Sequence, residues 1–167
     1  TKVSGARQPG MPANVAVPYA MSIGLRPGYF GGNYLGPQDN PFETEGDPNA
    51  KAFQVRNLGL QNNLTIERLE DRRRLSEQFD VVRRRMDQSR TIAAMDEFDR
   101  QAYDLVTGEK ARQAFDVSRE DDATRDLYGR HSWGQGVLLA RRLVEAGTTF
   151  VTCHFGGWDH HWDLQKG

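Results

Sequence analysis

The chain has 167 residues, a length at which one domain can bury a sizeable core. Its residues are 37% apolar and 27% charged, which is polar for a globular domain but too rich in apolar side chains for a chain that is disordered throughout. The net charge of −1 excludes a general attraction to nucleic acid or anionic membranes, and no apolar run reaches the roughly 18 residues of a membrane span.

The first segment, residues 1–60, is rich in turn-forming residues. All seven prolines of the chain lie in its first 48 positions, together with eight of the 17 glycines. This composition predicts a long irregular segment instead of regular elements. We expect it to lie over the site end of the protein as a cover that is packed through its aromatic side chains. These are Tyr19, Tyr29, Phe30, Tyr34 and Phe42.

The second segment, residues 61–147, is predicted to be mostly helical. A first helix begins near Thr65, because apolar residues then recur at helical spacing. They are Leu75, Phe79, Val82 and Met86. Arginine-rich runs at 72–74 and 83–85 are consistent with a solvated face or with a patch that binds phosphate or nucleic acid. The six acidic residues between Glu67 and Asp87 nearly cancel this charge and favour the solvated face.

Shorter helices are predicted to follow. One covers residues 91–107 and stops at Gly108, and another covers residues 110–115. Ser118, with Asp121 three residues later, resembles the N-cap of a third helix that ends near Gly129.

A strongly apolar helix over residues 135–146 is predicted to end at Gly147 and to lead into a strand over residues 149–155. Its broad apolar surface is typical of a helix that lies on a sheet. A buried helix followed by a buried strand is half of an α/β unit, so a parallel neighbouring strand is expected. The sequence shows no other convincing strand, and we predict residues 149–155 to form the one strand of the chain.

The third segment, residues 148–167, carries the candidate site. Three of the four histidines lie in it, and the run Asp159, His160, His161 follows the predicted strand and a Gly-Gly pair, from which Trp158 separates it. A carboxylate with neutral imidazoles suits Zn²⁺, Mn²⁺ or a similar ion, and Ca²⁺ and Mg²⁺ are the further candidates. The alternative is an ordinary turn with exposed histidines. His154 is interpreted as a polar residue at a strand end, and His131 as a helix cap or surface residue.

Several motifs resemble one bacterial exported family, DUF1501, which is similar to sulfatases and alkaline phosphatases. They are DLYG at 126–129, GQG at 134–136, RRLVEAG at 141–147 and GGWDHH at 156–161, with YLG at 34–36 and GDP at 46–48 upstream. The usual form of the last motif has Thr where this chain has His160. The three segments then belong to one domain, of which this sequence is an internal part.

The resemblance implies an alkaline-phosphatase-like α/β fold and a metal-dependent hydrolase of phosphate or sulfate esters. It makes Asp159 and His161 candidate metal ligands, with His160 beside them, and a small phosphate or sulfate ester the candidate substrate. It also implies an exported or cell-envelope location, although no signal peptide is visible in the sequence. The alternative is a non-catalytic relative that binds a partner or has a structural role in the envelope.

Overall fold

A computed structural model of the protein describes residues 5–20, 31–36, 39–55, 58, 67–68, 70–71, 74 and 102–156. At its centre lies a parallel sheet of three strands: β1 (Asn14–Val17), β2 (Phe42–Glu43) and β3 (Phe150–Cys153). The order is β2-β1-β3, so β1 is central. Val15 pairs with Phe42 on one side and with Val151 on the other. Helices and a parallel sheet together make a mixed α/β fold.

The first segment was predicted to be irregular, but it contains the strands β1 and β2. The prediction of one strand in the chain was therefore also wrong. β1 is a four-residue run in which Val15, Ala16 and Val17 are all buried. A central parallel strand is covered on both faces, so it lacks the alternation of polar and apolar residues by which strands are recognised. Its position between Pro12 and Pro18 made it resemble a loop. The parallel neighbour that β3 was expected to need is therefore β1.

Three helices lie in the described part of the second segment: α1 (Glu109–Phe115), α2 (Asp122–Tyr128) and α3 (Ser132–Ala146). A helical stretch at 102–107 precedes them, and a 3-10 turn, Val117–Arg119, links α1 to α2. The predicted stops at Gly108, Gly129 and Gly147 are confirmed. Gly147 has a φ of 111°, the left-handed conformation that commonly ends a helix, and its N–H donates to the carbonyl oxygens of Leu143 and Val144.

The N-cap of α2 is Asp121, not Ser118 as predicted. The Asp121 carboxylate accepts a hydrogen bond from the N–H of Thr124 at 2.7 Å. Ser118 belongs instead to the 3-10 turn, where its N–H donates to Asp116 at 3.0 Å. Asp116 caps the 3-10 turn and Asp121 caps α2, so an aspartate carboxylate serves both positions.

α3 begins three residues before the predicted start, because its first turn is polar and glycine-containing. His131 caps it, accepting a hydrogen bond at Nδ1 from the N–H of Gly134 at 3.2 Å, so the interpretation of His131 as a cap is confirmed. α3 packs against both the sheet and α1, and the core forms between them. Its buried apolar side chains include Val15, Val17, Phe115, Val117, Leu138, Leu139 and Leu143.

The predicted helix from Thr65 lies almost entirely outside the described residues. Only positions 67–68, 70–71 and 74 are described, and these are helical and exposed. The predicted helix over 91–107 is described from residue 102 onward. Across the described ranges, no helix combines the length and the apolar character that crossing a membrane requires.

Candidate functional site

β1 and β3 end at the same edge of the sheet, where Val17 is paired with Cys153. The N–H of His154 donates to the carbonyl oxygen of Val17 at 2.7 Å and extends the pairing by one residue. Ligands of open parallel sheets bind beyond the carboxyl ends of the strands, where the following loops converge. We call residues 18–20 and 154–156, which follow β1 and β3, the carboxyl edge.

Tyr19 and His154 meet at the carboxyl edge. Their ring centroids are 4.9 Å apart and the ring planes are inclined at 50°. Both residues are half-buried. The phenol of Tyr19 and the imidazole of His154 bring together two groups that can donate and accept hydrogen bonds. The interpretation of His154 as a residue at a strand end is confirmed, and the structure adds an aromatic partner from the first segment.

The N-terminal turn of α3 reaches the same edge. Trp133 lies against Phe155, with ring centroids 5.4 Å apart, and keeps 41% of its surface exposed. One turn further, Gly136 lies beside the strand ends, since a Cβ there would be in ordinary contact with Val17 Cγ1 at 3.6 Å and with Phe155 at 3.9 Å. The edge is thus bordered on one side by an aromatic pair and the start of a helix.

A loop from β2 holds the residues that follow β1. A carboxylate oxygen of Glu43 accepts a hydrogen bond from the N–H of Ala20 at 2.9 Å. The N–H of Glu45 donates to the carbonyl oxygen of Pro18 at 2.7 Å. These bonds fix the backbone around Tyr19, and through it the position of the ring that contacts His154.

Cys153, the last residue of β3, is a free, half-buried thiol. Burial raises the pKa of the Cys153 thiol, because desolvation disfavours the thiolate. A thiol that stays protonated is a poor nucleophile and a poor metal ligand near neutral pH. We therefore do not place Cys153 among the candidate catalytic groups.

The predicted metal residues Asp159, His160 and His161 lie outside the described residues, which end at Gly156. In the ranges that the structure describes, no group of three or more His, Cys, Asp or Glu side chains could hold a metal ion. In the sequence, Asp159 follows Gly156 by three positions, so the predicted cluster comes soon after the carboxyl edge.

Sequence reasoning missed the role of Tyr19. Its aromatic ring was predicted to pack a covering loop, whereas it lies two residues beyond the central strand and contacts His154. The available signal was the short apolar run at 15–17, which is bounded by turn-forming residues as a buried strand is.

One family model matches residues 1–167, the full length of the sequence, and it is described as a protein of unknown function, DUF1501. The match includes the sheet, α3 and the motifs from which the resemblance was inferred. No curated protein and no solved structure matches the chain.

Proposed function

The chain belongs to the DUF1501 family, and from this premise we propose that it forms part of a metal-dependent hydrolase of phosphate or sulfate esters. The proposal includes an alkaline-phosphatase-like fold for the whole protein and an exported or cell-envelope location. Because one fold serves many functions, the argument for the activity has to come from the residues at the carboxyl edge.

The observation that supports the proposal most is the parallel pairing of β1 with β3. It gives β3 the surroundings in which open α/β sheets bind their ligands. Asp159 follows the last residue of β3 by only six positions. A short connection of this kind keeps the candidate metal residues close in sequence to an edge that already carries Tyr19 and His154.

The donor chemistry of the predicted cluster fits a divalent ion. Asp159 and His161 would hold the ion through a carboxylate and an imidazole, the donors that Zn²⁺ and Mn²⁺ accept. His160 lies between them in sequence and would contact a further partner or the substrate. Once bound, such an ion would polarise an ester oxygen and lower the pKa of a bound water.

The described residues would contribute binding and orientation. The Tyr19 hydroxyl and the His154 imidazole can donate hydrogen bonds to the oxygens of a phosphate or sulfate group. The partly exposed Trp133 offers an apolar surface for the organic part of an ester. These groups come from three different elements, which is typical of sites at the end of a parallel sheet.

The experiment is an assay of the protein with 4-nitrophenyl phosphate and 4-nitrophenyl sulfate after addition of Zn²⁺, Mn²⁺, Ca²⁺ or Mg²⁺. We expect hydrolysis of one ester that depends on one of these ions and is lost in Asp159→Asn. Asp163→Asn, which removes a nearby carboxylate outside the motif, is the control and should retain activity. No hydrolysis of either ester with any ion contradicts the proposal, and metal binding without hydrolysis would favour the non-catalytic alternative.

A further inference from the structure

A cavity of about 680 Å³ lies between residues 48–55 and 58 on one side and the first two helices, α1 and α2, on the other. None of the carboxyl-edge residues lines it, so it is separate from the site described above. One wall is apolar, and its side chains belong to the core or border it. They are Phe53, Val55, Phe115 and Val117. The volume lies in the range of pockets that hold small organic molecules.

The lining also includes four basic residues. Lys51, Arg112, Arg125 and Arg130 line the cavity, whereas Asp116 is the one acidic residue in its lining. Asp122 and Asp126 pair with the Arg130 guanidinium at 2.6 and 2.5 Å and largely offset its charge.

Two of the basic residues have no such partner. Within the described part of the chain, Lys51 and Arg112 form no ion pair. The cavity therefore combines an apolar wall with unneutralised positive charge.

Arg125 is held in place by a buried side chain. Gln135, which is fully buried, accepts a hydrogen bond at Oε1 from Arg125 Nε at 2.8 Å. Gln135 also donates from Nε2 to the carbonyl oxygens of Arg125 and Gly129, at 2.9 Å each. The guanidinium thus keeps its terminal nitrogens available while its position is fixed, which lowers the entropy cost of binding an anion.

We propose that this cavity binds an organic anion whose apolar body packs against Phe53, Phe115 and Val117. Its phosphate, sulfonate or carboxylate group lies between Lys51, Arg112 and Arg125. Planar guanidinium groups bind such oxyanions through paired hydrogen bonds. Both parts of the ligand are required, because exposed charges alone are screened by salt and a small apolar wall alone gives weak binding.

The experiment is calorimetric titration of the protein with naphthalene-1-sulfonate, which has an aromatic body and no hydrolysable bond. The result is therefore independent of the proposed esterase activity. Naphthalene-1-phosphonate and 1-naphthoate, titrated in parallel, identify the preferred anionic group. The uncharged 1-naphthalenemethanol and inorganic sulfate test the two halves of the ligand separately.

We expect one saturable site for the sulfonate, weaker binding at higher ionic strength, and much weaker binding of either half alone. Arg112→Gln should weaken binding about tenfold, as loss of a charge-assisted hydrogen bond does. Arg119→Gln is the matched control, since Arg119 is also exposed but does not line the cavity. Equal affinities of the two variants, equal binding of 1-naphthalenemethanol, or no binding of any of the three anions would overturn the proposal.

Discussion

Arg125 and Gln135 are joined by hydrogen bonds that run in both directions. Arg125 Nε donates to Gln135 Oε1 at 2.8 Å, and Gln135 Nε2 donates to the backbone carbonyl oxygen of Arg125 at 2.9 Å. A further bond from Gln135 reaches the carbonyl oxygen of Gly129. One buried amide therefore ties the end of α2 to the first turns of α3.

Replacing the side-chain amide of Gln135 should lower the stability of the protein. Gln135→Leu keeps most of the volume but leaves two partly buried carbonyl oxygens and a guanidinium N–H without their partner, so we expect the free energy of unfolding to fall by about 2–3 kcal/mol. Gln113→Leu is the control, because the exposed Gln113 side chain bonds only to Glu109, and it should change stability by less than about 0.5 kcal/mol. Urea unfolding of both variants measures the difference, and equal midpoints would contradict the structural role of Gln135.

The elements that the sequence predicted well are those with long apolar patterns and clear stops. The α3–β3 unit was recognised because its apolar run is long and ends at Gly147. β1 and β2 were missed because four and two residues are too few to show a period. Their pairing depends on contacts between distant parts of the chain, which local pattern does not contain.

The residues of the candidate site likewise include some that the sequence placed correctly and some that it could not place. His154 and the following Gly156 were placed at a strand end from the sequence, and His154 lies there. Tyr19 and Trp133 come to that edge only through the sheet and the packing of α3, so neither could be assigned to it from local sequence. The cluster of Asp159, His160 and His161 stays a prediction, because it lies outside the described residues.

Two glycines in α3 should respond in opposite ways to the same substitution. A Cβ at Gly134 would lie 2.0 Å from the carbonyl oxygen of Tyr128 and 2.6 Å from that of Gly129. Gly134→Ala should therefore lower the free energy of unfolding by about 2–4 kcal/mol. A Cβ at Gly136 would meet only ordinary contacts, and Gly136→Ala should stabilise the protein by about 0.5–1 kcal/mol. Thermal unfolding of the two variants tests this, and a stable Gly134→Ala protein would mean that α2 and α3 pack less closely.

The neighbouring residues Arg141 and Arg142 on α3 should contribute differently to the stability of the protein. Arg142 donates to the backbone carbonyl oxygens of Ala114 at 3.1 Å and Gln113 at 2.5 Å, and it pairs with Glu120 where both side chains are about 13–14% exposed. Because Arg142 binds two carbonyl oxygens in the last turn of α1 and the Glu120 carboxylate, Arg142→Ala should lower the free energy of unfolding by about 2–4 kcal/mol.

Arg141 is the control for this substitution. Its side chain is more exposed, and it pairs with Glu145 on its own helix at 3.0 Å and with Glu120 at the longer distance of 3.6 Å, so Arg141→Ala should lose clearly less stability. Denaturant midpoints decide the comparison, and a larger loss for Arg141→Ala would contradict it.

The Cys153 thiol should react in a pH range that depends on folding. Burial raises its pKa in the folded protein, so the thiolate that attacks iodoacetamide should form only at higher pH than in the denatured chain. The rate of alkylation plotted against pH should therefore have a higher midpoint for the native protein than for the protein in guanidinium chloride. The same desolvation makes stability fall as pH rises past the thiol pKa of the unfolded chain. Identical midpoints in the two states would show that the thiol is not desolvated by the fold.

The candidate metal residues should differ according to their places in the motif. Asp159 and His161, which match the usual form, are expected to bind the ion directly, whereas His160 replaces the commoner Thr. Asp159→Asn or His161→Ala should then remove most of the affinity for Zn²⁺ or Mn²⁺. His160→Thr should cost no more than roughly 10- to 100-fold, the usual effect of changing a residue that only supports a ligand. Calorimetric titration of the protein and the three variants with each metal measures this order. Unchanged metal affinity in Asp159→Asn would support the alternative that residues 159–161 form an ordinary turn with two histidines. This conclusion would hold whatever the ester hydrolysis assay shows.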